Sequence, residues 1–201
     1  MKKKSFTLLL AACFFCYLSA NAQTTFHLGV KGDIDLTNIS GNGMSKSLQT
    51  DYEAGVFGEI NFGQKWGIQP EVMYSRRDAK ISDDFSKYYI NQASIDYKNT
   101  VKLNYIVVPI MAKYNISKLF TVNLGPQFGF KMYDDEDLLK SGKPAFKDLD
   151  FGVAGGLTLN VSESFKFYAR YYQGLSNINN IDDRYSWKTK QIQIGVAVRV
   201  L

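Results

Sequence analysis

Eight segments in which apolar and polar residues alternate dominate this chain. In the first of them, Phe26, Leu28, Val30 and Ile34 are separated by polar, charged or glycine residues. Successive side chains of a β-strand point to opposite faces, so a period of two predicts strands with one apolar and one polar face. The eight segments cover residues 26–36, 52–62, 66–77, 100–114, 120–133, 148–161, 165–175 and 187–201.

The lengths of the segments and of their connections favour a barrel that crosses a membrane. Each segment has 11 to 15 residues, enough for a tilted strand to cross an apolar layer of ~25–30 Å. Short connections alternate with longer polar ones: the short ones are 63–65, 115–119 and 162–164, and the long ones are 37–51, 78–99, 134–147 and 176–186. Short periplasmic turns and long extracellular loops are typical of outer-membrane barrels. The sequence therefore predicts an all-β fold, an eight-stranded antiparallel up-and-down transmembrane β-barrel.

Alternation alone does not decide which face of the barrel points outward. A soluble barrel of the lipocalin kind places its apolar face inside, whereas a membrane barrel places it outside. Glycines on the polar face suit a narrow lumen, and aromatic residues at segment ends suit interfacial girdles, so both favour the membrane. The residues expected in the girdles are Tyr52, Phe62, Trp66, Tyr74, Phe120, Phe165 and Trp187. A soluble periplasmic carrier is the alternative fold.

The fourth segment has a less clear pattern than the others. One face carries an apolar row from Val101 to Met111, but Ile106, Val108 and Ile110 lie on the opposite face. Both faces are therefore apolar, and the sequence leaves the outer face of this strand open.

The first 22 residues have the features of a secretory signal peptide. A run of lysines at 2–4 precedes an apolar stretch at 6–18, and Ala20-Asn21-Ala22 fits the small-x-small rule for cleavage before Gln23. We expect a signal peptide at 1–22, cleavage between Ala22 and Gln23, and a barrel domain at 23–201. Lipidation at Cys13 is the alternative, although the apolar stretch continues beyond that cysteine.

Charge and residue content exclude several functions. Loss of the three lysines with the signal peptide lowers the formal net charge from +5 to +2, so nucleic acid is not an expected partner. The chain has one histidine, His27, at the expected periplasmic end of the barrel. We therefore expect no enzyme, no cofactor and no metal site, since a single histidine and two cysteines within the expected signal peptide exclude most sites built on those residues. The acidic pairs and runs in the long connections are interpreted as solvated loop tips, with Ca²⁺ or Mg²⁺ bridging to lipopolysaccharide as the alternative.

Four charged residues are predicted to lie on the lumen side at similar heights. They are Lys31, Glu59, Glu71 and Arg170. An eight-stranded barrel is just wide enough for side chains to fill it, and an unpaired buried charge is very unfavourable. We expect these residues to pair in a network that fills the lumen, with a gated ion path as the alternative.

Four short motifs follow one another along the predicted strands: Tyr105-Ile106-Val107-Val108-Pro109-Ile110-Met111-Ala112-Lys113-Tyr114 and residues 124–129, 150–156 and 169–178. Their order and spacing resemble the PorT-like outer-membrane β-barrel family of Bacteroidetes. The resemblance implies an eight-stranded barrel in the cell outer membrane, in contact with lipid and lipopolysaccharide. Founding members of that family are linked to protein secretion. The expected function is that of a structural or interaction protein in protein export or surface assembly, with envelope or secretion proteins as partners. The alternative is a narrow porin-like channel for ions or small solutes.

Overall fold

The computed structural model describes residues 24–90, 99–135, 138–139 and 143–201. The predicted cleavage site at Ala22 and Gln23 lies outside the described residues, as do Glu136 and Asp137 of the longest acidic run.

Eight antiparallel strands form a closed barrel in which each strand pairs with its chain neighbours and the last strand pairs with the first. The strands are β1 (Thr24–Ser40), β2 (Gln49–Phe62), β3 (Trp66–Lys80), β4 (Thr100–Asn115), β5 (Phe120–Asp134), β6 (Leu149–Asn160), β7 (Phe165–Gly174) and β8 (Lys188–Arg199). A short helix, α1 (Phe85–Tyr88), lies between β3 and β4. The predicted eight-stranded antiparallel up-and-down barrel is confirmed.

The two ends of the barrel differ as the connection lengths predict. At one end, turns at 63–65, 116–119 and 161–164 join neighbouring strands. Gly63 has a φ of 71° in the first of these turns, a left-handed conformation that glycine adopts without steric penalty. We call this the short-turn end. The other end carries the four long connections and is called the loop end.

The apolar face of the barrel points outward. On β1, Phe26 and Ile34 are 60% and 61% exposed, whereas Lys31 between them is 5% exposed. The same alternation runs along the other strands, so an apolar band surrounds a charged interior. A barrel with this arrangement suits a lipid environment, and the alternative of a soluble carrier with an apolar interior is wrong. Among the described residues, no helix is long and apolar enough to cross a membrane.

Strand β4 shows its longer apolar row to the lumen. Val107 and Met111 are fully buried, whereas Ile110 between them is exposed. The row ends at Lys113, which pairs with Glu59 inside the barrel. Lys113 points inward at one end of β4, and Leu103 and Tyr105 pack inside the barrel at the other end. These contacts fix the orientation of the strand, which its sequence pattern left open.

The long connections fold over the loop end and bury an apolar core of their own. This core, which we call the loop plug, comprises Met44, Ile81, Phe85, Tyr89, Leu138, Leu139, Phe146, Ile178 and Trp187. It packs onto apolar lumen residues at the loop end of the strands, including Leu103 and Tyr105. Bridges between Met44 and Ile81 and between Phe146 and Asn179 connect loops that are distant in sequence.

Trp187 lies at the centre of the loop plug, so its predicted place in an interfacial girdle is wrong. Its ring centroid is 5.0 Å from that of Phe146 and 5.8 Å from that of Tyr89. Its indole Nε1 donates a hydrogen bond of 3.0 Å to the backbone oxygen of Asn42. Burial in the plug raises the pKa of Tyr89 to about 12. Trp66 and Tyr74, by contrast, are exposed on the outer surface, as a girdle requires.

Candidate functional site

The lumen is the candidate site because its wall gathers charged side chains from seven of the eight strands. Three clusters follow one another along the axis of the part of the barrel that the structure describes. We call them the short-turn cluster, the central cluster and the loop-end cluster, and define each below by its residues.

The central cluster consists of Lys31, Glu71 and Arg170, with Gln69 beside them. The Lys31 Nζ atom is 2.8 Å from one carboxylate oxygen of Glu71. Arg170 donates to both carboxylate oxygens, at 2.8 and 3.1 Å, the bidentate geometry that a guanidinium favours. The Lys31 ammonium also lies 4.0 Å from the centre of the Tyr168 ring. The structure thus places three of the four residues of the predicted network in contact.

The fourth residue, Glu59, belongs to the short-turn cluster instead. It forms salt bridges with Lys113, with Lys166 at 2.5 Å and with Arg199 at 3.3 Å. A cavity of about 830 Å³ opens beside these side chains at the short-turn end. Three cations around one carboxylate make this end of the lumen positive.

His27 lies in the wall of the same cavity, directly opposite Glu59 in the β1–β2 ladder. Its Nδ1 atom has no hydrogen-bond partner among the described residues. A histidine that acts as a general base is normally oriented through one ring nitrogen by a carboxylate or carbonyl. The described residues provide no such partner at Nδ1 of His27.

The loop-end cluster is predominantly acidic. Arg77 is its one cation in the described chain, 2.9 Å from Asp150 and 3.6 Å from Glu53. The Arg77 guanidinium also lies 4.8 Å from the centre of the Tyr105 ring, within the range of a cation–π contact. The acidic side chains of the cluster are Asp33, Asp35, Asp51, Glu53 and Asp150, all of them buried.

The charges of the lumen are therefore separated along its axis. Cations outnumber acids in the short-turn cluster, and acids outnumber cations in the loop-end cluster. The central cluster, with two cations and one acid, lies between them. A cation that moves along this wall would be repelled at the short-turn end, and an anion would be repelled at the loop end.

Sequence reasoning missed most members of the two outer clusters. Lys113, Lys166, Arg199, Arg77 and Glu53 were not placed in the predicted network. Their signal was nevertheless present, because each lies in the same alternating row as a lumen residue of its own strand. Arg77, for example, follows Glu71 by six residues on β3, an even spacing that keeps both on one face.

A closed eight-stranded barrel with an apolar exterior and a charged interior defines a transmembrane β-barrel protein. The chain belongs to the family of the outer membrane protein beta-barrel domain, whose model matches residues 21–180. It is an outer-membrane protein, so we assign the short-turn end to the periplasm and the loop end to the cell exterior. No curated protein has significant sequence similarity to the chain.

Solved outer-membrane barrels share the fold. The attachment invasion locus protein Ail of Yersinia pestis is 13% identical, with 87% of this chain and 98% of that chain covered and a TM-score of 0.51. Neisserial surface protein A is 14% identical, with 88% and 99% of the two chains covered and a TM-score of 0.53. Because the identities are this low, the similarity shows a shared fold and nothing more specific.

Proposed function

We propose that this protein is a non-enzymatic outer-membrane barrel with a closed lumen, acting as a structural or interaction protein in protein export or surface assembly. The observation that carries the proposal is the loop plug, which covers the outer mouth with Trp187 fully buried. A barrel whose loops pack into one core offers a shaped outer surface rather than an open pore. The resemblance to the PorT-like family of Bacteroidetes supports the export role.

The paired charges below the plug also support a closed lumen. Glu71 is fully buried and has both carboxylate oxygens engaged by Arg170 and Lys31. Separating the partners of a buried ion pair is strongly unfavourable. We therefore expect the central cluster to stay closed rather than to open as a gate. We expect the lumen to serve as the rigid support of the loops.

The loop plug also supports binding to a partner, because it fixes the loops before any partner arrives. A preorganised surface loses less conformational entropy on association than flexible loops do. Apolar side chains remain exposed around the plug, with Leu48 at 56% and Ile90 at 70%. Tyr88 is also exposed, and its ring packs edge-on against Tyr185 of another loop at 5.5 Å. We expect these exposed side chains to contact an envelope or secreted protein.

The proposal is tested by purifying the tagged, full-length protein from outer membranes in mild detergent. We expect an envelope or secreted protein to co-purify at near-equal stoichiometry. Substitution of Tyr88 and Ile90 by alanine should remove that protein, while Lys118→Ala in a periplasmic turn should retain it. A barrel that is isolated alone from wild-type membranes would contradict the proposed role.

A narrow channel is the second candidate, favoured by the cavity of about 830 Å³ at the periplasmic end. The wall of this cavity includes Lys65, Lys113, Lys166 and Arg199, which would attract anions. A channel requires this cavity to continue past the central cluster and the loop plug. Conductance in a lipid bilayer distinguishes the two functions.

A further inference from the structure

Three carboxylates of the loop-end cluster lie close together, although as anions they would repel one another. Asp33 and Asp35 are on β1, and Glu53 of β2 is directly opposite Asp33 in the β1–β2 ladder. One carboxylate oxygen of each lies within 4.8 Å of the other two. All three side chains are buried on the lumen face, just below the loop plug. Like charges directly opposite each other on neighbouring strands are destabilising.

The cations of the described lumen do not neutralise this group. Arg77 is 3.6 Å from Glu53, but its shorter contact is with Asp150 at 2.9 Å. Lys31, the next lysine along the face of β1, is already paired with Glu71. Tyr168 donates a hydrogen bond to Asp33, but its hydroxyl supplies no formal charge. The three carboxylates therefore carry more negative charge than their neighbours balance.

Two glutamines of β8 provide an independent indication of a ligand. Gln193 lies opposite Asp35 in the β1–β8 ladder, and its amide nitrogen donates to Glu53 at 3.2 Å. The amide nitrogen of Gln191 lies 3.4 Å from Asp35. Both side chains are at least 99% buried. The Gln191 amide nitrogen also lies 3.3 Å from the hydroxyl of Thr37. Each amide thus contacts the acid group through its nitrogen, and its oxygen is buried in the same part of the lumen.

These amide oxygens have no donor within the described part of the chain. The same is true of one oxygen each of Asp33 and Asp35, to which no nitrogen or hydroxyl group donates. A buried acceptor without a partner is unfavourable. Four such oxygens on adjacent strands favour a cation that would satisfy them together.

We propose that this group binds a Ca²⁺ ion. Every donor atom is an oxygen from a carboxylate or an amide, the set that hard cations prefer. Oxygens within 4.8 Å of one another can share one Ca²⁺ ion, which binds six to eight oxygens at ~2.3–2.6 Å in flexible geometry. Mg²⁺ demands a near-ideal octahedron and keeps several of its waters, so a buried set of protein oxygens suits it less well.

The proposed ion joins three strands across the seam where the barrel closes. Asp33 and Asp35 belong to β1, Glu53 to β2, and Gln191 and Gln193 to β8. The β1–β8 ladder is the one contact between the first and the last strand. Bound Ca²⁺ therefore stabilises the seam below the loop plug, a role that is independent of what the outer surface binds.

Three acids at the loop end differ from this group because they already have cationic partners. Asp134 is 2.6 Å from Lys131, Asp182 is 2.6 Å from Arg184, and Asp183 is 3.3 Å from Lys147. Arg184 lowers the pKa of Asp182 through direct hydrogen bonds. Asp182 thus provides a control for calcium that binds in the loops rather than in the lumen.

The test measures Ca²⁺ bound by the full-length protein after refolding in detergent. The protein is refolded with Ca²⁺, free ion is removed by gel filtration, and bound calcium is measured by atomic emission. We expect one Ca²⁺ per barrel in the wild type and in Asp182→Asn, and at least a tenfold loss in Asp35→Asn. Replacing Ca²⁺ by EGTA during refolding should lower the unfolding midpoint of the wild type by about 5–10 °C. The midpoint of Asp35→Asn should be the same in Ca²⁺ and in EGTA.

Two results would overturn the proposal. One is a wild-type barrel with no stoichiometric calcium and the same unfolding midpoint in Ca²⁺ and EGTA, as expected if the acids hold protons instead. The other is calcium that Asp35→Asn retains in full. If Asp35→Asn does not fold, the isosteric Glu53→Gln takes its place, and the wild-type comparison in Ca²⁺ and EGTA requires no variant.

Discussion

Glu71 accepts hydrogen bonds from the side chains of Lys31, Gln69 and Arg170 in the middle of the membrane-spanning lumen. Among the described residues, Lys31 and Arg170 form salt bridges with Glu71 and with no other acid. The two cations therefore depend on one residue for their neutralisation.

Replacement of Glu71 by glutamine should destabilise the barrel strongly. The change keeps the volume of the side chain but leaves Lys31 and Arg170 as uncompensated buried charges. Loss of one partner from a buried ion pair typically costs about 3–5 kcal/mol. We expect Glu71→Gln to lower the free energy of unfolding by this amount in urea titrations. The exposed Glu163→Gln, in a periplasmic turn, is the matched control, and equal stabilities of the two variants would refute the role of the central cluster.

The placement of Glu59 shows what the sequence could not provide at this scale. Alternation put Glu59 and Glu71 on the lumen face, and both are there. Which charges meet depends on the stagger between strands, and a count of residues from the strand ends does not contain it. Glu71 lies opposite Phe57, two residues before Glu59 on β2, and this offset moves Glu59 to the periplasmic end.

At the scale of strands, Gly29 is the point where β1 leaves no room for a side chain between its two neighbours, β2 and β8. Gly29 faces the lumen, where an added Cβ would overlap the ring of Phe57 on β2 and the backbone oxygen of Val198 on β8. Gly32, three residues further along, faces outward and has only Glu53 O at 3.5 Å near its Cβ position. The two glycines form a matched pair for testing the seam.

Gly29→Ala should destabilise the barrel, whereas Gly32→Ala should not. The backbone oxygen of Val198 cannot move away without opening the β1–β8 ladder, and forced overpacking costs about 1–3 kcal/mol. Thermal unfolding in detergent measures the difference. Equal midpoints for the two variants would show that the seam has room for a side chain at Gly29.

The loops show a second limit of the sequence. Their apolar residues, such as Met44, Phe85 and Phe146, are isolated in polar stretches and follow no period. The pattern therefore predicted polar connections, and the loop plug became visible only when the strand order brought four loops to one end. Strand β4 follows the same logic, because its inner row is apolar where it meets the plug.

Removal of Trp187 should loosen the loops without opening the barrel. Its ring contacts Phe85 and Tyr89 of one connection and Phe146 of another, and truncation of a buried tryptophan typically costs about 3–5 kcal/mol. We expect Trp187→Ala to be cleaved faster in the loops by limited proteolysis, while the strand signal in circular dichroism is retained. Trp66→Ala on the outer surface is the control, and loops of Trp187→Ala that resist protease as well as the wild type would contradict the plug.

At the scale of the whole molecule, the eight-stranded fold followed from periodicity and connection lengths, and the inside-out arrangement followed from the glycines of the polar face and the aromatic residues at the segment ends. The charge separation along the lumen did not, because it arises from side chains of seven strands that meet only in the closed barrel. Paired charges in the centre and a loop plug at the outer mouth are the observations from which we propose a closed lumen.

Conductance across a planar lipid bilayer tests this closed lumen most directly. Purified wild-type protein should insert and give no steady current, because the central cluster and the loop plug interrupt any path for ions. Insertion itself is verified by recovering the folded barrel from the same membranes. A steady, ohmic conductance from wild-type barrels, with an ion selectivity that Glu71→Gln alters, would contradict the closed lumen and establish a channel.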